Sequence, residues 1–190
     1  QVAVTASSDA VAGNYEIFVQ QLAQKHQVSL AFNSTDTLPA NGQFEFTVAG
    51  DAFTVDLSTL PASAGLTDLA SAINNAADNS GVQATVMRSG AQSYLVLTSK
   101  ESGAAKAISM NFVPGADTSG ANIGAAVAGA TELKAAQDAI VKVGAQNPIT
   151  LTSDSNTLKD VIAGVTLDLK KAQAASDQPV QISVQQDPKA

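Results

Sequence analysis

Paired runs of strict two-residue alternation constrain this chain more than any other feature. Phe44, Phe46 and Val48 alternate with Glu45 and Thr47, Ala49-Gly50-Asp51-Ala52 turns the chain, and Phe53, Val55 and Leu57 alternate back. Side chains two apart on a strand share a face, so each run has one apolar side, and a short turn containing glycine joins them as an antiparallel hairpin. Val82, Ala84 and Val86, a turn at Ser89-Gly90, and Tyr94 to Thr98 repeat the arrangement. Shorter strands are read at 15–19, where Tyr15, Ile17 and Val19 oppose Phe18, and at 28–32, 108–113, 140–143, 149–151, 165–169 and 180–184. Gln20 to Gln27 has helical propensity but is short and runs into a strand, so it is read as extended.

One-sided strands need cover. Leu66, Leu69, Ala70, Ile73 and Ala77 fall at helical spacing, predicting an amphipathic helix over 66–78 that starts at Ser63 or Gly65 and ends at Asn79-Ser80-Gly81. The order ββ-α-ββ-β is a small α+β unit with its helix laid on an antiparallel sheet. A second, shorter helix is predicted over 157–163. Ser153 to Asn156 would cap it, Leu158, Val161 and Ile162 would face inward, and Gly164 would close it in a left-handed conformation. Residues 114–130, rich in Ala and Gly and poor in large apolar side chains, read as a linker or mobile surface loop.

Composition excludes several function classes. With no cysteine, thiol chemistry, disulfides and cysteine-ligated zinc are impossible. A net charge of −7 with no local run of Lys or Arg disfavours nucleic acid and anionic membrane. No apolar stretch reaches the length of a membrane helix. Gln1 opens no leader pattern, and the chain is read as a piece excised from a longer one. Aromatics are 4% of residues and tryptophan is absent, so the cores must be built from Val, Ile, Leu, Ala and a few Phe.

Residues that suggest chemistry have plainer readings. His26, the only histidine, lies between Lys25 and Gln27 and is expected at the surface. Asp154-Ser155-Asn156 lacks the glycine and terminal glutamate of a calcium loop and reads as a helix cap. Asp51, Asp56, Asp68 and Asp78 are scattered and form no paired-carboxylate site. Asn33-Ser34-Thr35 is only a formal glycosylation acceptor, and Gly120 to Gly129 lacks the lysine of a phosphate loop. No catalytic, cofactor-binding or metal-binding residue is expected.

Three stretches resemble the flagellar cap family, hook-associated protein 2. Gly13 to Ala23 is similar to the opening strand of that family's inner head domain. Gly42 to Leu97, with Ala70-Ser71-Ala72-Ile73-Asn74 and Gly81-Val82-Gln83-Ala84, is similar to a module shared among flagellar axial proteins. The most specific stretch is Ala136-Gln137-Asp138-Ala139 with Ser155 to Leu169; where the family often has a Val-Asn-Gly turn, this chain has Val143-Gly144-Ala145.

The resemblance implies an α+β fold, predominantly antiparallel β. It also implies two small domains: an inner one from 1–37 plus 129–190, and an outer one, 38–128, inserted into it and carrying the main helix. It implies a structural subunit, not an enzyme, that is secreted and forms a homo-oligomeric ring at the distal tip of the bacterial flagellum. Its partners there are flagellin subunits. A glycan- or mucin-binding adhesive head, or a hook–filament junction protein, is the alternative. Exposed Tyr or Trp platforms would favour a glycan; Tyr15 and Tyr94 read as strand core.

Overall fold

The computed structural model describes residues 2–79 and 81–185. In chain order the strands are β1 (Val2–Ala6), β2 (Gly13–Gln21), β3 (Lys25–Asn33), β4 (Gly42–Val48) and β5 (Asp51–Asp56). Helix α1 (Leu66–Asn75) follows, then β6 (Val82–Ser89), β7 (Gln92–Ser102) and β8 (Ile108–Pro114). Helix α2 (Ile123–Ala128) precedes β9 (Thr131–Lys134), β10 (Ala139–Val143), β11 (Ile149–Ser153), β12 (Thr157–Ile162), β13 (Val165–Leu169) and β14 (Val180–Val184). The fold is α+β and predominantly antiparallel β.

Two compact units divide the chain. The first takes residues up to Gln24, Ser102–Ala104, and everything from Gln137 on; the second takes Lys25–Glu101 and Ala105–Ala136. The sequence reading drew these limits at 37/38 and 128/129. In the structure, β3 and β9 are neighbours in the sheet β6-β7-β3-β9, which accounts for 25–37 and 129–136 lying in the second unit.

The first unit has two sheets, β1-β13-β12 and β11-β10-β2-β14, whose pairings are antiparallel. They share one core, with Ile17 and Val19 of β2, Val141 of β10, Leu158 of β12, Val165 and Leu167 of β13, and Ile182 of β14. The alternation read in β2, β13 and β14 is the alternation that fills it. Residues 157–162 are a strand, not the predicted helix. Apolar residues at 158, 161 and 162 fit a helical stripe, but Asp160 has φ +56° and the register with β13 breaks between Lys159 and Ile162. Alternation alone would put Leu158, Asp160 and Ile162 on one face; the bulge takes Asp160 out of the ladder, so it is exposed while Leu158 and Ile162 are buried. Gly164, φ +71°, makes the turn from β12 to β13 instead of closing a helix; a Cβ there would collide with the Ala10 backbone.

In the second unit, β5-β4-β8 and β6-β7-β3-β9 enclose a core that includes Phe44, Phe46, Phe53, Leu30, Leu95, Leu97, Leu69 and Ile73. Phe46 stacks on Phe53 across the first hairpin at 4.9 Å between ring centroids. Helix α1 buries Leu66, Leu69, Ala70 and Ile73 as predicted, and starts at Gly65, whose N–H donates to Asp68 Oδ2 at 2.8 Å. It ends at Asn75, three residues before the predicted limit; of the terminator Asn79-Ser80-Gly81, Ser80 lies outside the described residues.

The segment 114–130 is neither a linker nor a loose loop. It carries α2, capped by Asn122, and buries Ala121 and Ile123. It is held to residues 37–41 by hydrogen bonds in both directions. Asp117 Oδ2 accepts from Ala40 N–H at 2.6 Å, Asn41 Oδ1 accepts from Asp117 N–H at 3.0 Å, and Ala121 N–H donates to the Thr37 carbonyl at 2.7 Å. Low side-chain volume here reflects close backbone packing.

Candidate interaction surfaces

The residues that invited a chemical reading are spent on structure. His26 is 6% exposed, not at the surface. Its alternation phase on β3 matches Val28 and Leu30, a stronger signal than its charged neighbours. Ring Nδ1 accepts from Ile108 N–H at 2.9 Å, and Nε2 lies 3.0 Å from Glu132 Oε1. An Nδ1 that accepts carries no proton, so Nε2–H is the donor to Glu132. The ring ties β3, β8 and β9 together.

The scattered acids fasten turns. Ser58 hydroxyl and N–H hold the Asp56 carboxyl below its ordinary pKa. Donation from Ala40 N–H, then from Ser119, does the same for Asp117, and the Thr157 hydroxyl with Lys170 does so for Asp168. Lys106, 2.7 Å away, lowers Glu101. Asp68 bonds the start of α1, and Asp51 and Asp78 are exposed and apart from it in the chain. Among the described residues no group of His, Asp and Glu is placed to hold a metal ion, and no helix is long and apolar enough to cross a membrane. Asn33 donates to Asp36 in an exposed turn, and Gly120 to Gly129 is the α2 segment. Tyr15 and Tyr94 are half-buried. A cleft of about 400 Å³ in the first unit lies beside Tyr15, Glu16, Gly144 and Gln181.

Asp154-Ser155-Asn156 caps no helix. Asn156 Oδ1 accepts from Ala23 N–H at 2.8 Å, and its Nδ2 donates to the Ala23 carbonyl at 2.9 Å. An asparagine amide thus stands where a neighbouring strand's peptide group would.

The sheet edges of the two units differ. An open edge presents unpaired N–H and C=O groups, which charges, prolines or bulges normally guard. In the second unit every edge strand carries a charge or a proline: β5 has Asp51 and Asp56, β6 Arg88, β8 Pro114, and β9 Glu132 and Lys134. In the first unit β12 has Lys159, Asp160 and its bulge, but β1, β11 and β14 contain no charged residue and no proline. Ile149 on β11 is 66% exposed, and Val4 on β1 is also exposed. Edge order is set by chain topology, so alternation alone does not reveal it.

Comparison with known proteins agrees with this architecture. Residues 136–190 match the family described as flagellar hook-associated protein 2 C-terminus, and 43–101 match the flagellin hook IN motif. The lateral flagellar hook-associated protein 2 of Vibrio parahaemolyticus is 38% identical over 197 residues, covering 98% of this chain and 44% of that protein. The chain thus spans less than half the length of that relative. Among solved structures, FliD from Pseudomonas aeruginosa PAO1 superposes with a TM-score of 0.81 at 26% identity, covering 99% of this chain and 86% of that one. The D2-D3 domains of the Escherichia coli flagellar cap protein FliD share the fold, with a TM-score of 0.77 at 23% identity over 97% of this chain and 94% of that one. By sequence along nearly all its length, by both matched motifs and by fold, this chain is similar to proteins of the flagellar hook-associated protein 2 family.

Proposed function

We propose that the chain is the head of a flagellar filament cap protein, a structural subunit that promotes flagellin assembly through shape and non-covalent contact, with no catalytic step. The two compact units are its two domains. It works outside the cell at the distal tip of the flagellum, as part of a homo-oligomeric ring, with flagellin subunits as its other partner. The observation that carries this reading is the near-complete superposition on FliD from Pseudomonas aeruginosa, 99% of this chain at a TM-score of 0.81.

The unguarded edges of β1, β11 and β14 support an assembling role for the first unit. Contacts between heads must yield as subunits insert, so modest and fairly polar interfaces suit the task. Light scattering on this chain, and on a version lengthened by its native flanking sequence, tests the proposal. The chain alone stays monomeric or weakly associated, and the longer form assembles. Ile149→Lys, which puts a charge beside the β11 edge, weakens that assembly. A longer form that remains monomeric at high concentration contradicts the ring.

A further inference from the structure

The edge of β6 in the second unit is closed along half its length and open along the rest. Its pairing with β7 runs unbroken from Val82↔Ser99 to Ser89↔Gln92, so alternate residues of β6 turn their backbone groups the same way. Val82 and Ala84 turn theirs away from β7, because side chains take them there. Asn79 accepts from Val82 N–H at 2.8 Å and donates to its carbonyl at 2.8 Å. Asn74 of α1 does the same for Ala84, at 2.8 Å in both directions. Val86 and Arg88 follow in the same phase, and among the described residues no amide covers them.

A groove of about 470 Å³ lies over this open stretch, lined by Thr67, Ala70, Ser71 and Asn74 of α1 and by 84–86 and Arg88 of β6. That volume is in the range of sites that hold small ligands or a few residues of peptide. An exposed strand edge beside a helix is the setting in which an extended peptide adds as a further strand. The lining has one charge, the Arg88 cation, and no carboxylate. Arg88 is exposed, and one of its amino groups touches Thr67 Oγ1 at 3.3 Å, which fixes it at the mouth. Arg88 is also the chain's only arginine, in a chain whose net charge is −7.

We infer that the groove between α1 and the free edge of β6 binds an extended acidic segment of another protein. The segment adds as a strand at Val86–Arg88, with a carboxylate on Arg88. Arg88, the one charged side chain of the lining, selects acid.

The probe is an acetylated, amidated hexapeptide, Thr-Val-Asp-Val-Asp-Val, with a Lys-for-Asp version as control, titrated into the isotope-labelled chain at low salt. Amide shifts confined to 67–74 and 84–89, with the acidic peptide binding about tenfold or more tighter than the control, support the proposal. Arg88→Glu reverses that preference. Val86→Pro removes an outward N–H, which an edge strand tolerates, and abolishes binding while shifts elsewhere keep their values. Should Val86→Pro fail to fold, Arg88→Glu and the salt dependence decide. Equal binding of both peptides, shifts centred elsewhere, or none at millimolar peptide overturn the proposal. So does concentration-dependent self-association that moves the same amides without peptide.

Discussion

Side-chain amides act as missing strands in this chain. Asn156 pairs with Ala23, Asn79 with Val82 and Asn74 with Ala84, each accepting from the N–H and donating to the C=O of one residue. Gln173 does a related job at Val19, accepting from its N–H through Oε1 and donating to its carbonyl through the backbone. The amide matches a peptide group in geometry and adds no charge, which suits sheets ending in tight corners. Asn79, buried and bonded also to the Ile73 carbonyl, carries the most at one site. Asn79→Ala leaves Val82 N–H and its carbonyl unpaired in a dry place and removes a donor from the Ile73 carbonyl, and should cost about 1–3 kcal/mol. Urea denaturation with unchanged steepness and a lower midpoint is the expected result. An unaltered midpoint would mean water replaces the amide at no cost. None of this was legible in the sequence, where Asn156 read as a helix cap and Asn79 as a helix terminator. Both readings saw the amide's hydrogen-bonding capacity and missed its partner, which for Asn156 lies 133 residues away. His26 was misjudged for a related reason, since its flanking polar residues said less than its phase on β3.

At the scale of elements, the hairpins β4–β5 and β6–β7 and helix α1 were readable, because each declares itself in ten to twenty consecutive residues. β12 was not. Leu158, Val161 and Ile162 suit a helix, and a charged Asp160 in phase with 158 and 162 speaks against a buried strand face; the left-handed turn at Asp160 lifts that residue out to solvent. The α2 segment escaped because its small residues are selected for close approach. Gly120 is the clearest case, with φ +78° and a missing Cβ that would collide with the Thr37 carbonyl. Gly120→Ala is expected to lower stability by about 1–3 kcal/mol and to loosen the bonds of 117–121 to 37–41. Hydrogen exchange at Ala40 and Ala121 would quicken first. Unchanged exchange there would return the segment to the status of a loose linker.

At the scale of the molecule, chain continuity hides the division. The chain passes between units after Gln24, Glu101, Ala104 and Ala136, and none of these points is rich in glycine or proline. The Ala/Gly-rich stretch that looks like a boundary lies inside the second unit. What the sequence did carry at this scale was family likeness, because the matched motifs at 43–101 and 136–190 each lie mostly in one unit. Which sheet edges are left unguarded emerged only with topology, and that contrast gives the assembly proposal its physical basis.

The most direct measurement is filament growth in a bacterium lacking its own hook-associated protein 2 and supplied with a hybrid in which this chain replaces the matching segment. Electron microscopy should find filaments of ordinary length, with little flagellin free in the medium. A hybrid that is exported and folded, yet leaves cells without filaments and flagellin shed as monomer, would contradict an assembling role for this chain.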